Sequence, residues 1–127
     1  MRWLTFKVRD EIRDLSALLR LVGDRATGST WRLLWIEAAG YPEPAAELQR
    51  ISDASEEING RELLKLASQG PQIIEGELHA FDAGSSSAWL VIEAIDSSLW
   101  DVGTDDKTVE AAVRAEFPEA EDTTAHH

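Results

Sequence analysis

Cysteine is missing altogether from this sequence, and with it go disulfides, zinc-thiolate centres and thiol nucleophiles. Long apolar runs are missing too. No stretch approaches the roughly 20 residues that a membrane-crossing helix needs, and the opening Met1-Arg-Trp-Leu-Thr-Phe-Lys-Val-Arg-Asp10 lacks the apolar centre of a signal peptide. Positive charge is scarce, with 12 Lys and Arg against 24 Asp and Glu for a net charge of -12. Such a field repels phosphate backbones and anionic lipid, so the expectation is no nucleic acid and no membrane surface as partner. A cation or a basic protein fits it better, and the chain reads as cytoplasmic. Histidine is thin as well: of three, two end the chain, leaving His79 alone in its interior.

Recognisable reaction motifs are also lacking. The loop Gly23-Asp-Arg-Ala-Thr-Gly-Ser29 has two glycines but no Gly-Lys-Ser/Thr ending, so it is not a P-loop. The acidic stretch Asp96 to Asp106 lacks the alternate oxygen ligands, central glycine and closing glutamate of an EF-hand. Ser85 to Ser87, Ser97 and Ser98 have neither a neighbouring base nor the glycine pattern of a nucleophile elbow. No cofactor is expected.

What is present is a patterned chain of 127 residues, 43% of them apolar, enough for one core without covalent staples. Leu4, Phe6 and Val8 alternate with Thr5 and Lys7 as in a half-buried strand. Ile12, Leu15, Leu18, Leu19 and Val22 recur at helical spacing, which predicts a helix over 11–22 capped by Asp10 and stopped by Gly23. Residues 30–39, rich in Trp, Leu and Ile, are read as a strand with Trp31, Leu33 and Trp35 on one side; a helix closed by Gly40 is the alternative. Tyr41 to Pro44 reads as a turn, followed by helices over 45–54 and 60–68 with a surface loop between them. Residues 73–81 and 88–95 form a hairpin, and a last helix over 106–116 starts at Thr104 or Asp105 and pairs Glu110 with Arg114. The resulting fold class is α+β: a single domain over 1–118 with a mostly antiparallel sheet of about four or five strands and helices largely on one face, then a flexible polar tail over 119–127.

Two groups of residues can carry function. If Ala80 pairs with Leu90, one hairpin face is wholly apolar (Ile74, Gly76, Leu78, Ala80, Leu90, Ile92, Ala94) and the other gathers Glu75, Glu77, His79 and Glu93. The alternative register, Phe81 with Ala88, buries Glu93 among apolar side chains, and an isolated buried carboxylate costs several kcal/mol, so the first is preferred. Glu77 then faces Glu93, a pair that repels unless a proton, metal or base intervenes; with His79 it makes a candidate metal or acid/base site. The second group is the acidic segment with Trp100, Asp101, Asp105 and Asp106, where an aromatic rimmed by acids suits a protein-binding hot spot. Its alternative is that Trp100 anchors an edge strand and that Asp105 and Asp106 serve the helix start.

The reading is a small acidic, non-catalytic binding or regulatory protein, docking a basic partner in the manner of an immunity or inhibitor protein. That comparison rests on size, charge and lack of motif. A metal-binding protein or enzyme using Glu77, His79 and Glu93, and a structural homodimeric subunit, are the alternatives.

Overall fold

The computed structural model describes residues 1–8 and 14–124. Its strands are β1 (Arg2–Lys7), β2 (Thr30–Ala39), β3 (Glu57–Asn59), β4 (Gln72–Phe81), β5 (Leu90–Ile95), β6 (Leu99–Thr104) and β7 (Glu121–Thr123). They form one sheet in the order β3-β2-β4-β5-β6-β1-β7, with every neighbouring pair antiparallel. The five helices are α1 (Leu15–Val22), α2 (Asp24–Thr27), α3 (Pro42–Asp53), α4 (Gly60–Ala67) and α5 (Lys107–Glu116). The chain is thus α+β, with more strands than the four or five expected.

The extra strands have local causes. β3 and β7 are three-residue edge pieces, too short for an alternating pattern to show. β7 falls in the stretch expected to be a free tail; Thr123 pairs with Trp3 and Arg114 holds Asp122 at 2.6 Å. The stretch 96–106 is mostly strand. Asp96 and Ser97, at φ 49° and 60°, lie in a three-residue turn between the paired Ile95 and Leu99, closed by the Ser98 N–H donating to the Ile95 carbonyl at 2.9 Å. Two successive positive φ values are the mark of a type I′ hairpin turn. β6 follows between β5 and β1, so it lies inside the sheet rather than at its edge.

Helix boundaries differ from expectation by a few residues. The Asp14 carboxylate accepts the Ala17 N–H at 2.8 Å and so caps α1; Asp10, Glu11 and Ile12, expected to open that helix, lie outside the described residues. α3 begins at Pro42 rather than Ala45, because prolines in a first turn have no intrahelical N–H to forfeit. Asp106 caps α5 by accepting the Thr108 and Val109 N–H groups at 2.8 and 3.3 Å.

The hairpin has the register that keeps Glu93 off the apolar face, with Ala80 opposite Leu90 and Glu77 opposite Glu93. Following this register across the sheet gives a row Leu33, Leu78, Ile92, Val102, Leu4, each no more than 2% exposed. This face shares one buried cluster with Leu15, Leu18, Leu19, Leu63, Val109 and Val113 from the helices, and with Phe117, whose ring stacks on Phe6 at 4.2 Å. One such side chain fully buried contributes about 1.5–3 kcal/mol against about 0–1 for an exposed ion pair. The apolar row, not the many surface ion pairs, therefore holds the layers together.

Candidate functional site

The opposite sheet face carries the residues of chemical interest. Its central row runs Leu34, Glu77, Glu93, Asp101, Thr5 across five adjacent strands, so three carboxylates stand side by side. Glu77 is 6% exposed and Asp101 is fully buried. His79 Nε2 lies 2.9 Å from Glu77 Oε1, which places the ring proton on Nε2 when Glu77 is ionised. Glu77, Glu93 and Asp101 each have interactions of their own, as adjacent like charges require. The structure thus gathers Glu77, His79 and Glu93, as expected, and adds Asp101 from the other group. Among the described residues no three or more His, Cys, Asp or Glu side chains are arranged to hold a metal ion. Two open grooves, of about 570 and 490 Å³, are lined by other residues.

The second group is dispersed. Trp100 is 3% exposed and belongs to the core cluster, and Asp101 points to the other face as its strand neighbour. Neither offers a surface. Asp105 is 64% exposed and meets the Met1 amino group at 3.1 Å. Asp106, besides capping α5, holds Arg25 at 2.8 Å, and that guanidinium keeps its carboxyl below the usual carboxylate range. Arg25 also pairs with Asp82 of the β4–β5 loop and lies 3.9 Å over the Trp89 ring. It ties α2, the hairpin loop and the start of α5 together.

A large aromatic does stand in water beside acids, but it is Trp35. The β2–β4 register shifts between Leu34 opposite Glu77 and Glu37 opposite Glu75, so Trp35 and Ile36 occupy a bulge. Ile36 turns inward at 7% exposure while Trp35 is 75% exposed with φ 54°, a left-handed conformation that costs a bulky residue about 1–2 kcal/mol. Gly76 makes the bulge possible. At φ 132° a Cβ there would come within 2.7 Å of Ile36 Cδ1 and 3.0 Å of the Trp35 carbonyl oxygen.

Around this bulge no lysine or arginine of the described residues is paired with the carboxylates. Glu37 faces Glu75 across the strands, and the Asp96 N–H donates to Glu75 Oε1 at 2.8 Å. The Glu75 carboxyl is raised above its ordinary value, first by its side-chain hydrogen bond with Asp96, with burial and the charges of Asp96 and Glu37 adding to it and the Asp96 N–H opposing. The turn is fixed to the same corner by the Ser97 N–H, which donates to the Ile74 carbonyl at 2.9 Å. Tyr41, 65% exposed, follows the same end of β2. The sequence signal for this site was Gly76 inside a strand pattern, which marks a bulge; regular alternation instead puts Trp35 with Trp31 and Leu33.

Comparison with protein-family models, with curated proteins and with solved structures finds no match for this chain. Among the described residues no helix is long and apolar enough to cross a membrane.

Proposed function

We propose that the protein is a small non-catalytic binding protein that docks a basic protein partner through the acidic end of its sheet, with Trp35 as the anchor. The observation that carries this reading is the exposed, left-handed Trp35 at the bulge beside Glu37 and Glu75. A tryptophan held in water on strained backbone lowers stability without adding to the core, and strain of this kind gathers at binding and switch sites. Tryptophan is also the residue type most enriched among interface hot spots. The net charge of -12 supports steering of a basic partner toward this corner. A cytoplasmic location and a role like that of an immunity protein complete the reading. The test is capture from extract of the producing cells at low and high salt. A partner retained at low salt, released by salt and lost with Trp35→Ala but kept with Glu62→Ala on the exposed start of α4 is the expected result; a partner indifferent to Trp35, or none, overturns it.

A second reading, metal or acid/base chemistry, has one observation in its favour, the His79–Glu77 contact beside two further carboxylates. Calorimetric titration with divalent metals separates the two. Heat that His79→Ala and Glu93→Ala both remove would establish the second reading, and its absence from the wild type removes the metal form of it.

A further inference from the structure

Within the fold, one tryptophan already shows what an acid-flanked indole does with a cation. The Arg25 guanidinium lies 3.9 Å above the Trp89 ring while its edges donate to Asp82 at 3.2 Å and Asp106 at 2.8 Å. Indole, guanidinium and two carboxylates from separate elements make one closed arrangement. At the bulge the same components recur without the cation: an indole 75% exposed, Glu37 on β2, and the Glu75–Asp96 pair from β4 and the β5–β6 turn. No lysine or arginine of the described residues is paired with Glu37, Glu75 or Asp96, as is also true of isolated surface acids such as Glu43 and Glu62; what sets the bulge apart is the exposed indole beside its carboxylates.

Resting on the docking surface proposed above, we propose that the partner's contact group is an arginine, its guanidinium stacked on the Trp35 indole and hydrogen-bonded to the carboxylates of Glu37 and the Glu75–Asp96 pair. Charge complementarity selects a cation, and the planar geometry selects arginine. A guanidinium can lie flat on a ring while its in-plane N–H groups reach carboxylates on two sides; a lysine ammonium is a compact, strongly hydrated point charge that cannot do both. The stack places cationic density over the indole face, the negative side of its quadrupole. Nothing in this arrangement requires a bond to form or break, in keeping with a binding role.

The experiment uses the whole protein and three synthetic peptides of equal length carrying four arginines, four lysines or four citrullines, spaced by glycine and serine. Five tryptophans give five indole N–H signals in a nitrogen-correlated spectrum, and Trp35→Phe identifies the one from Trp35. The arginine peptide is expected to move the Trp35 signal saturably at low salt. The lysine peptide should bind about two- to fivefold more weakly, the citrulline peptide should leave the signal in place, and Glu37→Gln with Asp96→Asn should weaken arginine binding several-fold. A Trp35 signal that ignores the arginine peptide, or responds equally to lysine or citrulline, overturns the inference. If a captured partner is released by Trp35→Ala but not displaced by the arginine peptide, the arginine contact fails and the docking surface stands. If no partner depends on Trp35, the docking surface itself fails.

Discussion

Trp35 is costly where it stands, and that cost is measurable. Its φ of 54° is worth about 1–2 kcal/mol against a bulky side chain, while glycine there forfeits about 0.5–1 in chain entropy. With the ring 75% exposed, little burial is lost. Trp35→Gly should therefore gain about 0.5–1 kcal/mol in urea denaturation and lose partner capture at once. A loss of 2 kcal/mol or more would make the side chain structural. Glu75 gives a second residue-scale expectation. Its folded-state pKa is raised above the ordinary 4.5, so its contribution to stability is fully present below the unfolded value and lost as pH rises through the folded one. Thermal melts of Glu75→Gln should show a flatter profile than wild type as pH climbs from 4.5 toward neutrality, with the variant gaining relative stability; parallel profiles would contradict the carboxyl pairing.

At the scale of elements, the bulge is the device that turns a core strand into a binding corner. Gly76→Ala introduces a Cβ into the Ile36 and Trp35 backbone at positive φ, which should cost about 2–4 kcal/mol and shift the β2 amide signals around residue 35. A loss under 1 kcal/mol would mean that the bulge does not depend on this glycine. The hairpin register was legible in the sequence because one choice buried Glu93 and the other did not. Strand β2, α4 and the Glu110–Arg114 pair were legible from composition and spacing. Trp35 was not, because alternation assumes a regular strand and a single bulge reverses it. Trp100 and Asp101 were misplaced for a related reason: the turn takes only residues 96–98, so the chain re-enters the middle of the sheet at Leu99. β7 was hidden in a polar tail whose strand pairing depends on β1, far away in sequence.

Across the whole molecule, the two faces of the sheet differ in character. The helices contribute their apolar residues to the core cluster, while the opposite sheet face presents the carboxylate row and, at its end, the bulge. Of the candidate docking residues, the tertiary structure places Asp101 in the buried row and gives Asp106 a helix cap and an Arg25 clamp. The corner of Trp35, Glu37, Glu75 and Asp96 sets an exposed indole beside carboxylates with which no lysine or arginine of the described residues is paired. The most direct test is site-specific photo-crosslinking in the producing cells, with a benzophenone side chain at position 35 and, as control, at position 61 on the exposed start of α4. The expected result is an adduct with a basic protein from position 35 only, suppressed by Glu37→Lys with Asp96→Lys. No adduct from position 35, or the same adducts from both positions, would contradict the account.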